Sequence, residues 1–371
     1  MYSAVDQQWM AEAIAQAHKA LYLANPNPRV GCVIVKDGQL IGAGFTQAVG
    51  GPHAEIQALA DARSKGNDPS GATIYVTLEP CSHTGRTPPC VDALIAAKPT
   101  KVIAAMRDPN PLVCGKGLEQ LQAAGILVSC GLLESAAQEL NRGFISRMTR
   151  GLPWVRLKIA ASLDGKTALP DGRSQWITGP LARADGHHWR AQACAIVTGV
   201  GTVKEDDPSL NVREVDTVRQ PSRIIIDSKL ETPLQAKVLH HEDGAEVMIV
   251  CAKLDAPELQ AKAQELSASG VKVIALANAH GKVDLPKLFT YLAKEFHMNE
   301  IHIEAGYKLN GSLLREGCVD ELLLYYAPFF IGDGIGMANT AALGALTERD
   351  QWTILDQSRF DPDLRLRLIK N

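Results

Sequence analysis

Three metal-capable side chains in a fixed order constrain this chain more than any other feature. His53 opens the triplet His53-Ala54-Glu55, Cys81 follows Pro80, and Cys90 stands nine residues further on. Neutral imidazole and thiolate are common zinc ligands, and a zinc site that does chemistry keeps three protein ligands and one position for water. Zinc held in this way acidifies its water toward neutral pH. Glu55 lies two residues from a ligand, close enough to reach that water without binding the metal, so it suits a proton carrier. The flanking sequence predicts how the ligands are mounted. Gly50-Gly51-Pro52 leads into a helix over 53–63 with Ile56, Leu59 and Ala60 on one face, and TIYVT at 73–77 reads as a strand. Pro88-Pro89 leads into a helix over 91–97, with Val91, Leu94 and Ile95 at helical spacing. A thiol at such a helix start is biased toward thiolate.

The rest of the N-terminal part continues the alternation, with a helix over 9–20 and strands over 30–35 (VGCVIV), 102–106 and 126–128. Such alternation predicts a layered α/β domain. The stretch 147–153 (RMTRGLP) is basic, holds Gly151 and Pro153, and interrupts the apolar periodicity. A second series of strands follows over 155–160, 195–198, 223–226, 247–250, 271–276, 301–303 and 322–326. The reading is two α/β domains, 1–148 and 149–371, with the last forty or so residues uninformative.

Composition bounds the partners. A net charge of −3 gives no basic footprint for nucleic acid. Asp6, Gln7, Gln8 and Glu12 interrupt the start of the chain, so no secretory signal is expected there. No run of about 20 apolar residues predicts a membrane span. The eight cysteines are scattered and read as reduced thiols or metal ligands. A cytoplasmic protein with small-molecule partners is therefore expected.

Other readings of these residues exist. Cys81 and Cys90 can be ordinary core residues, and a structural zinc would need a fourth ligand, for which His83 is the nearest candidate. In the second half, Thr198-Gly-Val-Gly-Thr202 follows a strand and suits a phosphate-cradling turn, although a plain tight turn explains it equally. Glu304-Ala-Gly306 is a second glycine-containing strand exit, where ligands of α/β sheets sit. Residues 306–312 (GYKLNGS) are then expected to wrap a cofactor phosphate.

The order H-x-E, then P-C, is similar to that of the zinc-dependent nucleobase deaminases. More closely, the segment from Thr77 to Cys90 (TLEPCSHTGRTPPC), with its long C-x8-C loop, resembles the deaminase signature of the bifunctional riboflavin-biosynthesis family RibD. Asn25-Pro-Asn-Pro-Arg-Val-Gly31, and Asp108-Pro-Asn-Pro111 followed by Gly115-Lys-Gly117, match the same pattern. The resemblance implies a cytidine-deaminase-like three-layer domain in which Asn27, Arg86, Asp108 and Asn110 line a pyrimidine ribose-phosphate pocket. Turn residues beside prolines are the competing reading of Asp108 and Asn110. Thr46 stands where the family often has a histidine.

Lys158-Ile-Ala-Ala-Ser-Leu-Asp-Gly165, Ser174-Gln-Trp-Ile-Thr178, Asp206-Asp-Pro208, Ile226-Asp-Ser228 and Glu304-Ala-Gly306 stand in the order of the family's reductase half. The fold so implied is dihydrofolate-reductase-like. By position, Ala160, Trp176, Thr202, Asp206, Ser228 and Gly306, Tyr307, Lys308, Leu309, Asn310, Gly311 and Ser312 would meet NADPH. Ser174, Arg190, Leu210, Arg213 and Glu304 would meet substrate, with Arg190 and Arg213 suited to a phosphate through their planar forks. Asp206, ahead of Lys158, is the expected catalytic group of the hydride-transfer step. The implied enzyme carries one zinc, uses NADPH, acts on a small pyrimidine ribose phosphate without nucleic-acid or membrane partners, and forms a homo-oligomer, dimer or tetramer. A nucleic-acid-editing deaminase with an accessory domain is one rival, and a non-catalytic zinc-binding protein is another.

Overall fold

The computed structural model describes residues 2–83, 88–111, 113–240 and 243–371. The chain divides into two compact units, Met1–Gly151 and Leu152–Asn371.

In the first unit, α1 (Ala4–His18) starts at a capping box. The Ser3 hydroxyl accepts the Asp6 N–H at 3.0 Å, and the Asp6 carboxylate accepts the Ser3 N–H at 2.9 Å. β1 (Gly31–Lys36) and β2 (Gln39–Phe45) form a hairpin through Asp37-Gly38, both at positive φ. Then come α2 (Ala54–Ser64), β3 (Thr73–Val76), α3 (Cys90–Ala97), β4 (Lys101–Ala104), α4 (Lys116–Ala123), β5 (Leu127–Cys130), α5 (Glu134–Leu140) and α6 (Arg142–Arg150). Strand order is β2-β1-β3-β4-β5, with β3, β4 and β5 parallel and β1 antiparallel to both its neighbours.

Glycines on the hairpin let helices press onto both faces. A Cβ on Gly31 would lie 1.9 Å from the Ala13 carbonyl oxygen of α1, and one on Gly44 would lie 2.5 Å from the Ala54 oxygen and the Ala58 nitrogen of α2. Gly31 and Gly44 belong to opposite faces by register, so α1 and α2 sandwich the sheet. The result is a three-layer α/β unit whose core includes Ile34, Ile74, Leu94, Ile103 and Leu121. The strand β2 went unanticipated in the sequence. Residues 147–150, read there as part of a connecting stretch, belong to α6, which ends at Gly151 in the left-handed conformation.

The second unit runs β6 (Trp154–Ser162), β7 (Lys166–Ala168), α7 (Pro180–Gln192), β8 (Ala195–Gly199), α8 (Val200–Asp206), β9 (Ser222–Ile226), β10 (Val247–Cys251), α9 (Pro257–Ala268), β11 (Lys272–Ala275), α10 (Leu285–Glu295), β12 (Glu300–Glu304), α11 (Tyr307–Arg315), β13 (Glu321–Ala327), β14 (Ile335–Gly336), β15 (Trp352–Phe360) and β16 (Asp363–Lys370). Its main sheet has the order β11-β10-β9-β8-β12-β6-β13-β16-β15. The strands from β11 to β13 are parallel and β16 and β15 close the sheet antiparallel, in the dihydrofolate-reductase-like manner. Inner strands such as β10 (VMIVC) are buried apolar runs, as strands covered on both faces must be.

The C-terminal hairpin docks through charge. The Glu321 carboxylate accepts from Trp154 Nε1 at 2.8 Å and Arg367 Nε at 2.8 Å, and Arg156 Nη2 lies 3.1 Å away. Arg156, Arg365 and Arg367 surround the Trp189 ring at 4.4, 5.4 and 4.9 Å. Among the described residues no helix is long and apolar enough to cross a membrane.

Candidate active sites

The zinc-type triad converges. His53 is the cap residue of α2, Cys81 follows the exit of β3, and Cys90 is the first residue of α3. His53 Nδ1 lies 3.2 Å from Cys90 Sγ and 3.6 Å from Cys81 Sγ, and the three ligand atoms fall within 4.8 Å of one another. Zinc bonds of about 2.1 Å to nitrogen and 2.3 Å to sulfur, set tetrahedrally, separate two such ligands by about 3.6 Å. The donor set and its spacing therefore fit zinc. His83, the candidate fourth ligand, is exposed and stands outside this group.

Local electrostatics favour anionic sulfur. The Cys90 backbone N–H donates to Cys81 Sγ at 3.3 Å. A hydrogen bond from the Cys90 thiol, with His53 beside it, holds Cys81 well below the ordinary thiol range. The same shared proton, with burial, pushes Cys90 up. A metal ion displaces that proton when both sulfurs bind as thiolates.

Glu55 stands in the first turn of α2 and is 4% exposed. Burial, reinforced by Cys81, pushes its carboxyl up to about 7. A group that titrates near neutrality can both take and give a proton. Cys32 of β1 is buried nearby, its thiol pushed up by burial and by Glu55.

Asp108 is buried and pushed up to about 6, by burial first and then by Glu79 and Cys81. Its Oδ1 accepts the Asn110 N–H at 2.8 Å, so it both closes a turn and stands beside the ligand loop. Asn27 is half-buried in the loop before β1, where its N–H donates to the Ala24 oxygen at 2.8 Å. Arg86 lies outside the described residues. The Thr46 hydroxyl accepts the Val30 N–H at 3.1 Å and so belongs to the scaffold at the start of β1.

Glu79 had no role in the sequence reading. It is 2% exposed, and its carboxylate accepts four backbone N–H groups. Oε2 takes Asp108 at 3.1 Å and Gly115 at 2.9 Å, while Oε1 takes Gly117 at 2.9 Å and Leu118 at 3.4 Å. The segment carrying Asp108 and Asn110 is thereby tied to the loop carrying Cys81. A side chain at Gly117 would meet the Pro80 oxygen at 2.1 Å, which keeps that approach open only to glycine. The sequence signal was faint, a glutamate two residues before a ligand.

In the second unit the glycine-containing exits of β8 and β12 are neighbours. A Cβ on Gly306 would lie 3.8 Å from Thr202 Oγ1, and one on Gly199 would lie 3.3 Å from Leu309 Cδ2. The helices α8 and α11 start at these exits, so their free N–H groups gather at one end of the sheet. That arrangement fits a nucleotide phosphate. Residues 306–312, expected to wrap a phosphate, are mostly helix, which confines the free amides to its first turn. Asn310 and Gly311 pack against residues 337–339, with Asn310 Nδ2 donating to the Met337 oxygen at 2.9 Å. Ser312 is half-buried in the same helix. Ala160 is half-buried near the end of β6. Trp176 is 68% exposed, with the Arg183 guanidinium 4.6 Å from its ring centroid. Ser228 Oγ accepts the Val283 N–H at 3.2 Å.

Arg190 is paired with a second residue expected at the substrate, Glu304. Its Nε and Nη2 bind the two Glu304 oxygens at 2.5 and 2.9 Å, and Nη1 donates to the Asn211 oxygen at 3.0 Å. The fork expected for a phosphate is engaged within the protein. Arg213 is exposed, with Nη1 donating to Asn211 Oδ1. Glu304 stays ionised well below the usual range despite burial, because Arg190, His302 and Lys158 surround it. Lys158 stands opposite Glu304 in the register of β6 with β12, and burial lowers its amine. Asp206 is exposed at the end of α8, where Ser174 Oγ donates to it at 3.4 Å. Lys158 thus occupies the more enclosed position of the two. Leu210 is buried in an apolar cluster at φ 47°, so its side chain belongs to the core.

Comparison with known proteins identifies both domains. Residues 153–363 match the family described as RibD C-terminal domain, and residues 3–106 match the cytidine and deoxycytidylate deaminase zinc-binding region. The riboflavin biosynthesis protein RibD of Escherichia coli is 44% identical over 98% of this chain and 99% of its own. The solved structure of Acinetobacter baumannii RibD superposes with a TM-score of 0.89 at 43% identity, covering 99% of both chains. A diaminohydroxyphosphoribosylaminopyrimidine deaminase/5-amino-6-(5-phosphoribosylamino)uracil reductase from Thermotoga maritima superposes at 0.87 with 34% identity and 99% coverage of both chains. With one site of deaminase type and one of reductase type in a single polypeptide, this chain belongs to the RibD family of bifunctional riboflavin-biosynthesis enzymes.

Proposed function

We propose that the first domain, residues 1–148, deaminates 2,5-diamino-6-ribosylamino-4(3H)-pyrimidinone 5′-phosphate, and that the second, residues 149–371, reduces the ribosyl group of the product to ribityl with NADPH. His53, Cys81 and Cys90 hold zinc, which when bound supplies a Lewis acid and an acidified water. Glu55 carries the two protons that the water gives up, one to the ring nitrogen beside the reacting carbon and one to the exocyclic amine, which leaves as ammonia while the water oxygen becomes the ring carbonyl. Asp108, Asn110 and Asn27 pair with the pyrimidine edge, and Arg86 meets the phosphate.

In the second domain, bound NADPH supplies the hydride. The first-turn amides of α11 and the Thr202 hydroxyl receive its phosphates, and Trp176 and Ser228 border it. Lys158 polarises the sugar at the reacting carbon. Arg213 holds the substrate phosphate, and Glu304, fixed by Arg190, positions the sugar hydroxyls. Asp206, with Ser174, borders the entrance.

The observation that carries the reading is the convergence of His53, Cys81 and Cys90 within 4.8 Å, with Glu55 buried in the first turn of α2. The test is a coupled assay on the pyrimidine ribosylamine phosphate, following ammonia, NADPH and zinc content together. Glu55→Gln is expected to keep zinc and lose ammonia release, and unchanged deamination would overturn the mechanism. Ammonia from oligonucleotides, with none from the free pyrimidine phosphate, would point to nucleic-acid editing instead. The same reading makes the enzyme a cytoplasmic homo-oligomer, dimer or tetramer, which sedimentation velocity measures.

A further inference from the structure

We propose that His302 is a positioning residue for the reductase reaction: its imidazole, enclosed beside Arg190, holds the Glu304 carboxylate in the one orientation the substrate meets. The inference rests on the reductase reading of the second domain. His302 is fully buried, and its Nε2 lies 3.4 Å from Glu304 Oε1. Neither ring nitrogen completes a hydrogen bond of good geometry among the described residues, and the charged group that Nε2 does approach is the Glu304 carboxylate. A phenyl or isobutyl group would fill the space without burying two ring nitrogens.

The strand geometry brings the pair together. His302 and Glu304 are two residues apart on β12 and share one face of the sheet. In register on β6, Arg156 stands opposite His302 and Lys158 opposite Glu304, while β8 places Ile196 beside His302. On this face of the sheet stand Glu300 and Glu304 of β12 and Arg156 and Lys158 of β6, Arg190 of α7 binds Glu304, and His187 of α7 lies near Arg190, Glu304 and Lys158. Glu321 of β13 is engaged with Arg156.

Chemistry then assigns the proton. Burial, with Arg156 and Arg190 nearby, keeps the imidazole neutral. An ionised carboxylate only accepts hydrogen bonds, so the ring nitrogen facing it is the protonated one. Glu304 Oε1 is thus approached by Arg190 Nε from one side and His302 Nε2–H from another, and Oε2 by Arg190 Nη2. Arg190 binds both oxygens, and the imidazole closing on Oε1 from the strand side stops the carboxylate from rotating, which preserves its aim at the substrate.

The test uses the full zinc-loaded chain. His302→Phe removes the donor and His302→Gln retains one. His302→Phe is expected to lower reductase kcat/KM by about 10- to 100-fold, the scale on which misplacing a site group costs rate. Its acid limb should move to higher pH, because Glu304 loses a neighbouring N–H that favours its anion. His302→Gln should recover most of the rate, and ammonia release by the first domain should match the parent in both. Parental reductase kcat/KM and pH profile in His302→Phe would overturn the proposal. So would a loss in His302→Gln equal to that in His302→Phe. His302→Leu, which adds no volume, repeats the test should Phe disturb packing. A parent chain that deaminates but never oxidises NADPH would instead remove the reductase reading itself.

Discussion

Glu79→Gln isolates one carboxylate whose work is wholly structural yet bears on the deaminase site. The side chain accepts two backbone N–H groups on each oxygen. Whichever way the amide turns, its NH2 faces two N–H donors and can accept from neither. Two hydrogen bonds to a charged group are lost, at about 1.5–3 kcal/mol each, or about 3–6 kcal/mol in sum. The surviving pair weakens as well, because the acceptor is no longer charged. A loss of this size is a large part of the stability of a typical domain. It should appear first where the bonds are, as faster amide hydrogen exchange at Asp108, Gly115, Gly117 and Leu118. Ammonia release should fall with it, since Asp108 and Asn110 are no longer anchored to the Cys81 loop. NADPH oxidation on the already deaminated substrate should persist. A Glu79→Gln chain with parental exchange at these four amides and parental deamination would refute the reasoning.

Three further outcomes are expected. Stripping zinc with a chelator should abolish ammonia release while leaving NADPH oxidation on the deaminated substrate, and zinc content measured alongside should track the first activity alone. Lys158→Ala should cost reductase kcat more than Asp206→Ala does, because Lys158 is enclosed beside Glu304 and Asp206 is exposed, and steady-state NADPH oxidation decides the order. His187 should make the second domain acid-sensitive. Burial, with Arg190 and Arg213, lowers its value from 6.5 to about 4. Above the unfolded value both states are neutral and nothing changes. Between pH 6.5 and about 4 the unfolded chain takes a proton that the folded one refuses, so stability falls with pH by up to about 3 kcal/mol. Denaturant midpoints of parent and His187→Leu across that window should show the slope in the parent and a flatter line in the variant.

Some of this molecule is legible in its amino-acid order. His53, Cys81 and Cys90 are readable because zinc chemistry restricts ligand types, and because Gly50-Gly51-Pro52 and Pro88-Pro89 announce the helix starts that mount them. Inner strands of the second unit such as β10 are readable because burial on both faces demands continuous runs such as VMIVC. β2 escapes notice because Gly42 and Gly44 give it no apolar pattern, and those glycines make sense only once α2 is seen lying against them. β16 has the alternation of a strand, and what the sequence does not show is what its arginines meet. DLRLRLIK alternates arginine with leucine, and its arginines are accounted for by Trp189, Asp185 and Glu321, which are remote in sequence.

The sequence by itself determined which residue types could carry the chemistry and which short segments would present them. Tertiary structure alone decided which of those groups are free and which are engaged. Arg190 is paired with Glu304, Asp206 is exposed while Lys158 is enclosed, and Glu79 and His302 acquire neighbours that the sequence around them does not foretell. The physical reason lies in range. A side chain's capacity to bind zinc or carry a proton resides in its own atoms and the turn of helix that holds it. Its availability depends on strand register and helix packing, which bring together groups such as Glu79 and Gly117, or Arg190 and Glu304, from distant parts of the chain.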